Sequence, residues 1–452
     1  MNTPQRSDRS ASVATDPDHA SRRSPCQTLV GHFRWIICAL LLFGVTKNYM
    51  DRQVLGVLKT TLQHDLGWNE IDYGNLVFAF QAAYALGMLV VGRLVDRLGV
   101  RWGYALTMIF WSLASMAHAA GTSFASFVGA RAALGFGEAG VFPASIKAVA
   151  EWFPRKERAL AIGIFNGGTN FGAIITPLIV PWITIHWGWR WAFLITGGLG
   201  FLWLILWLSI YRRPEQHPSV SQAELNYILE DSVVPVEQTN WFLLLSRRQA
   251  WVFIVAKFLT DPIWWFYLFW TPDFLQRKHG LDLMQIGVPI MAIYLLADIG
   301  SVAGGWLSSF LIKRGRTVNL ARKTALLICA LCVLPIVFTY RIESLWGAVL
   351  LIGLAASAHQ GFSANLFTLT SDLFPAQAVG SVVGMGGMAG AIGGMLIAKL
   401  VGYTLQWTGS YMIPFLISGS AYLVALICIQ LLSPNLQPAK LPQAIPEMYS
   451  GR

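Results

Sequence analysis

The sequence predicts an all-α membrane protein, with twelve transmembrane helices in two pseudo-symmetric six-helix bundles and both termini on the cytoplasmic side. Three observations predict it: a composition poor in charge, twelve apolar runs of spanning length, and a repeat relating the first six runs to the last six. The 452 residues are 55% apolar and 12% charged, with a mean hydropathy of +0.53. An ordinary soluble domain is about 25% charged, so a soluble globular enzyme, a disordered chain and a secreted disulfide scaffold are excluded. The net charge of +10 does not mark a nucleic-acid partner, because the basic residues recur at loops instead of clustering on one face. Nor do the five cysteines form a framework: Cys26 lies in the polar leader, and Cys38, Cys329, Cys332 and Cys428 lie in apolar runs. Cys329 and Cys332 have C-x-x-C spacing, but ICALCVLP brings no charge or His to activate a thiol or complete a metal site.

Residues 1–31 are polar, with no apolar stretch before a small-residue cleavage site, and read as a disordered cytoplasmic tail, not a signal peptide. The apolar runs follow at 33–58, 72–93, 102–120, 124–149, 157–181, 187–211, 249–275, 285–311, 322–340, 344–371, 376–402 and 408–433. At 1.5 Å per residue each is long enough for a hydrocarbon core of ~30 Å. They define a first bundle (32–211), a central cytoplasmic loop (212–248), a second bundle (249–433) and a Pro-rich tail (434–452) expected to be disordered. With the N-terminus inside, and basic residues at the run ends counted with the adjoining segments, 23 of the 33 Lys and Arg fall on the cytoplasmic side and 5 outside (Lys59, Arg190, Arg277, Lys278 and Arg341). That imbalance supports N-in, C-in.

The halves repeat. LQHDLGWNEIDYG (62–74) follows the first run and LQRKHGLDLMQIG (275–287) the seventh, with Leu, Gln and two Gly in register. EWFP (151–154) and SDLFP (371–375) end the fourth and tenth runs, and a Gly-Gly pair follows each, at Gly167-Gly168 and Gly386-Gly387. Two repeats of the same orientation suit a transporter, whereas enzyme chemistry and simple anchoring need no duplication.

Charge inside a membrane is expensive, so each ionisable residue within a run is a candidate for function. Run 1 carries Lys47, Asp51 and Arg52; run 4 carries Arg131 and Glu138; runs 7 and 8 carry Lys257, Asp261 and Asp298; His359 and Lys399 lie in runs 10 and 11. Arg131 and Glu138, two turns apart, share a helix face about 10 Å apart along the axis. With Asp51 and Arg52 they offer two cations and two acids for an anion and a proton in a water-filled central chamber. The alternative is structural, with Asp51 pairing Arg131 or Lys47. Lys257 and Asp261 at i, i+4 either neutralise each other or serve the site. Asp298 faces the cavity or Lys257, and Lys399 snorkels. Registering runs 4 and 10 on their Phe-Pro ends sets His359 opposite Glu138, with Gln360 and Asn365 adding groups for a hydroxylated ligand. Trp264, Trp265, Phe266, Tyr267 and Trp270 in run 7 form either an interfacial, lipid-facing belt or a stacking wall for a sugar ring. Tyr49 and Tyr84 can donate to a carboxylate or hydroxyl near the charges.

Between runs 2 and 3 stands GRLVDRLGVR (92–101). It resembles the loop signature of the major facilitator superfamily, G-x-L-x-D-R-x-G-x-R, at Gly92, Leu94, Asp96, Arg97, Gly99 and Arg101. In that family the motif latches the cytoplasmic gate in the outward-facing state. A degenerate copy survives at Gly305, Leu307, Lys313, Arg314 and Gly315. NYMDRQVLG (48–56) and RAALGFGEAGVFPA (131–144) are similar to the anion:cation symporters. AKFLTDPIWWFYLFWTPDFL (256–275), LADIGSVAGGWLSS (296–309) and AHQGFSANLFTLTSDLFP (358–375) resemble the bacterial hexuronate transporters most. The resemblance covers about 33–433. It implies a proton-coupled symporter importing a sugar-acid anion by rocker-switch alternating access in the bacterial cytoplasmic membrane. It implies protonation at Asp51 and Glu138, substrate binding and coupling at Arg52 and Arg131, and no cofactor beyond the proton. The expected partners are a small sugar-acid anion, protons and membrane lipids around a monomer, with no nucleic acid and no metal. Alternatives are a carrier of an aldonate, an aldarate or another small organic anion, and a non-transporting membrane sensor of sugar acids. Lys47, one turn before Asp51, stands where the family pattern leads us to expect an uncharged residue.

Overall fold

The computed structural model describes residues 31–230 and 241–439, and those residues form helices without strands. The tail expected over 1–31 lies almost wholly outside the described residues, as do 231–240 and 440–452. The chain runs α1 (Phe33–Val57), α2 (Lys59–Leu66), α3 (Glu70–Ala117), α4 (Phe124–Glu138), α5 (Val141–Trp152), α6 (Arg155–Trp187) and α7 (Trp189–Ile210). After two short helices, α8 (Gln222–Leu229) and α9 (Trp241–Leu245), come α10 (Arg248–His279), α11 (Gly287–Lys313), α12 (Val318–Val333), α13 (Leu345–Leu373), α14 (Ala376–Thr408) and α15 (Met412–Leu432).

Eight helices among the described residues are long and apolar enough to cross a membrane: α6 from Leu160, α7, α10, α11, α12 with the 3-10 turn after it, α13, α14 and α15. The other expected runs are helical but are broken or charged. Runs 2 and 3 form the two limbs of α3, joined where Gly99 takes φ 74°, a conformation only glycine adopts freely. Run 4 is interrupted after Glu138, giving α4 and α5. Pro143 explains that break, since its ring removes a donor and crowds the carbonyl four residues earlier. Run 1 is the single helix α1, which carries Arg34, Lys47, Asp51 and Arg52.

The repeat is visible in the backbone. Gly67 and Gly280, aligned in the sequence, both end a helix in the left-handed region, at φ 70° and 64°. The next helical turns open on matching reciprocal caps, Asn69 with Asp72 and Asp282 with Gln285. In the first bundle α1 packs on α6 and α7, and both limbs of α3 pack on α4. Gly135 permits the closest of these approaches, since a Cβ there would sit 2.2 Å from the Phe80 carbonyl oxygen. In the second bundle α10 packs on α14 and α15, and α11 and α12 pack on α13. The bundles meet along α3–α14, α6–α11 and α1–α10. Large apolar side chains such as Ile205, Val302 and Leu431 point outwards while charged groups lie inside, the inverse of a soluble core.

The described part of the loop before residue 231 packs on the first bundle. Arg34 binds both Glu157 (2.8 Å) and Glu224 (3.2 Å), and the Tyr227 hydroxyl donates to Glu157, docking α8 on the first bundle. Residues 434–439, expected as disordered tail, also fold back: Leu436 is buried and the Ala439 N–H donates to the Leu373 carbonyl at 2.8 Å.

Candidate functional site

Three charges meet where α1, α4, the first limb of α3 and α10 converge. The Arg52 Nε–H donates to Glu138 Oε2 at 2.5 Å. The Arg52 guanidinium lies 4.9 Å from the Tyr49 ring centroid, 5.4 Å from Phe80, 4.7 Å from Tyr84 and 5.4 Å from Trp265. Arg131 stands over Phe80 at 4.8 Å and Phe269 at 5.9 Å. All three of its guanidinium nitrogens are buried without a hydrogen-bond partner, and so is Glu138 Oε1. A guanidinium left unpaired in a low dielectric is costly, and a carboxylate is the natural group to satisfy it. Trp265 and Phe269 belong to the second bundle, so an anion at Arg131 would touch both bundles. The side-chain amides of Asn48 and Gln81 are also buried and unpartnered.

The water-filled chamber expected here is not what the structure shows. Arg52 is 1% exposed, and Arg131 and Glu138 are 0% exposed. The bundles close over them through aromatic rings, and Tyr49, Tyr84, Trp264 and Trp265 are themselves buried.

Asp51 lies elsewhere, because one helix step turns it about 100° from Arg52. It pairs with Lys47 at 2.5 Å and accepts from the Ser115 hydroxyl at 3.0 Å. Asp51 thus faces the second limb of α3, inside the first bundle, and does not pair with Arg131.

In the second bundle His359 Nδ1 lies 2.6 Å from the Tyr422 hydroxyl and the ring stacks on Trp264 at 5.1 Å. These contacts knit α10, α13 and α15 together. The Asn365 amide donates to the carbonyls of Gly304 (2.8 Å) and Gly361 (2.9 Å), tying α13 to α11. Gln360 is half-buried. Lys257 and Asp261 pair at 2.6 Å. Asp298 accepts from Asn170 of the first bundle and does not meet Lys257. Lys399 does not snorkel: it crosses to Asn75 and lies 4.9 Å from the Phe78 ring. The run 7 aromatics are not a lipid-facing belt, since Trp264, Trp265, Phe266, Tyr267 and Trp270 are all buried.

One end of the molecule is locked across the bundles by a network absent from the sequence-derived candidates. Lys59 bridges Glu70 (2.6 Å) and Asp273 (2.7 Å), Arg277 binds Glu70 and Asp273, and Tyr411 donates to Asp273. The Tyr73 hydroxyl donates to the Phe269 carbonyl at 2.8 Å. Glu70, Tyr73 and Arg277 lie within the repeated segments 62–74 and 275–287, Lys59 and Asp273 stand just before them, and the opposite signs of Lys59 and Asp273 were the available clue. From this lock to Asn170–Asp298 at mid-height, polar links join the bundles. Among the described residues no such link is made at the opposite end, where 92–101 lies. There Gly92 lies within the first limb of α3, which ends at Gly99, Arg97 is exposed, and Arg101 donates to the Leu208 carbonyl at 2.7 Å, within its own bundle. The Asp96 side chain lies outside the described residues.

Residues 41–398 match the family profile described as Major Facilitator Superfamily. The hexuronate transporter of Escherichia coli strain K12 is 32% identical over 376 residues, covering 82% of this chain and 87% of its own. The D-galactonate transporter of Escherichia coli O6:H1 is 30% identical over 393 residues, covering 84% and 91%. The solved structure of a D-xylose–proton symporter superposes with a TM-score of 0.73 at 13% identity, covering 91% of this chain and 100% of that one.

Proposed function

The chain belongs to the Major Facilitator Superfamily and is a transporter, not an enzyme; from that premise we propose that it is a proton-coupled symporter of a sugar-acid anion, most closely fitted to a hexuronate. One observation carries the substrate class: Arg131, fully buried between the bundles, has no protein partner for any of its three nitrogens. A carboxylate would satisfy it through a bidentate contact. The relatives named above as hexuronate and galactonate transporters support the same class. The hydroxylated ring would meet Tyr49 and Tyr84, with the unpartnered amides of Asn48 and Gln81 as further donors and acceptors.

The geometry also suggests how proton and anion are linked. Glu138 and a substrate carboxylate compete for one cation, Arg52. When Glu138 takes a proton the Arg52 pair weakens, and its guanidinium turns to the substrate. When the substrate leaves, Arg52 recaptures Glu138, and the proton departs to water. The bundles then rock about the site in twelve crossings, N-in and C-in, in the bacterial cytoplasmic membrane. The lock of Lys59, Glu70, Asp273 and Arg277 lies on the outer side, so the conformation described is closed outward. Opening outward breaks that lock and brings the 92–101 loop towards the second bundle.

Uptake into proteoliposomes of labelled hexuronates, aldonates and aldarates, with and without an imposed pH gradient, tests this reading. A hexuronate should accumulate only with the external side acidic. Accumulation of neutral hexoses alone, or uptake indifferent to the gradient, would overturn it.

A further inference from the structure

Two buried ion pairs sit one residue apart in α1, and they are built for different tasks. Arg52–Glu138 joins two helices at the bundle interface and leaves Glu138 Oε1 without a partner. Lys47–Asp51 joins two residues of one helix, and its surroundings are closed. Asp51 is held by Lys47 at 2.5 Å and Ser115 at 3.0 Å. Lys47 is held in turn by Ser112 at 2.9 Å and lies 5.2 Å from the Trp111 ring centroid. On α7, Gly200 leaves room for the ammonium, since a Cβ there would sit 3.0 Å from Lys47 Nζ and 1.9 Å from Ser112 Oγ. Both members of the pair are essentially unexposed.

We infer that Lys47 is a positioning residue that keeps Asp51 ionised through the transport cycle, leaving Glu138 as the sole carrier of the coupling proton, one per anion. The inference rests on the proton-coupled reading above. A proton on Asp51 would strand the Lys47 ammonium among Trp111, Ser112 and Gly200 with no acid in contact, a costly state away from water. The other buried charges around the pair are Arg52, the next residue of α1, and Arg131 and Glu138 on α4. His118, one turn beyond Ser115, bonds the Ala114 carbonyl at 2.8 Å and stacks on Phe193, away from the acid. Arg52 already neutralises Glu138 through its own ion pair. A single proton with a monoanion moves no net charge, so the membrane potential would not drive uptake of a hexuronate and would oppose that of a dianionic aldarate.

The test is the steady-state accumulation of labelled glucuronate by the full-length protein in liposomes, at zero membrane potential, as a function of pH difference. One proton gives about tenfold accumulation per pH unit and two give about a hundredfold. A tenfold slope supports the inference, and a hundredfold slope overturns it. No gradient-driven accumulation would remove the proton-coupled reading itself. The double variant Lys47→Met with Asp51→Asn, which replaces the pair by neutral groups of similar size, should keep the tenfold slope. Counterflow exchange without accumulation in that variant would overturn the inference while leaving proton coupling in the wild type standing.

Discussion

The two bundles share one backbone plan and divide the chemistry. In the first, the helix is broken just after Glu138, and the buried ions Arg52, Arg131 and Glu138 face the interface. At the equivalent place in the second, α13 runs unbroken through His359, whose neutral partners Tyr422 and Trp264 hold it inside its own bundle. The second bundle contributes aromatic surface, through Trp265 and Phe269, and one acid of the outer lock, Asp273. The difference teaches that duplication fixed the positions and left side-chain chemistry free to specialise: one half recognises charge, the other covers the site and bolts it.

Substitutions that tamper with this division should have graded effects. The largest is expected at Arg131. Arg131→Ala removes the unpaired cation, and truncating a buried charge-assisted contact costs about 2–5 kcal/mol. Glucuronate binding should fall by about a hundredfold or more, read by equilibrium binding to purified protein, while the fold survives because Arg131 has no hydrogen-bond partner in the protein. Glu138→Gln comes next. It should abolish pH-driven accumulation and keep counterflow exchange, and accumulation at the wild-type level would remove Glu138 from coupling. On the second-bundle side, Asp273→Asn leaves Lys59 and Arg277 to share Glu70 as their one remaining acid. The outer ends should separate, as read by spin-label distances across that end, and stability should drop by about 3 kcal/mol.

A smaller effect is expected at His359. Tyr422→Phe deletes one buried hydrogen bond, with a loss of about 1 kcal/mol seen in thermal unfolding and with uptake retained. Loss of substrate binding in that variant would mean that His359 belongs to the site after all. The smallest effect is expected at the exposed rim, where Lys278 at 2.7 Å holds the Glu343 carboxyl below its ordinary range. A lowered acid adds stability only above its unfolded pKa and loses it as pH falls through the folded one. Because this pair is solvated, Glu343→Gln should leave uptake unchanged at neutral pH.

The eight long apolar helices, the repeat and the buried charges of runs 1 and 4 were legible in the sequence, because hydropathy, aligned Gly and Pro, and the cost of charge in lipid act locally. Partner choice was not. Asp51 and Arg52 are neighbours in sequence, yet the helix turn sends one into the first bundle and the other to the interface. Lys399 reads as a snorkelling side chain near a helix end until α14 is known to pack on α3, where Asn75 receives it. The lock joins Lys59 and Glu70 to Asp273, Arg277 and Tyr411, more than 200 residues away in sequence, so Lys59 and Arg277 counted only as loop charges. The break in α4 was readable in Pro143, but a hydropathy run hides it.

The account stands on a carboxylate filling the place beside Arg131. Isothermal titration of the wild-type protein at neutral pH with glucuronate and with its uncharged amide, glucuronamide, measures that directly. Binding of glucuronate with little or none of glucuronamide is the predicted result. Equal binding of the two would show that the site reads the hydroxyls and not the charge, and would contradict it.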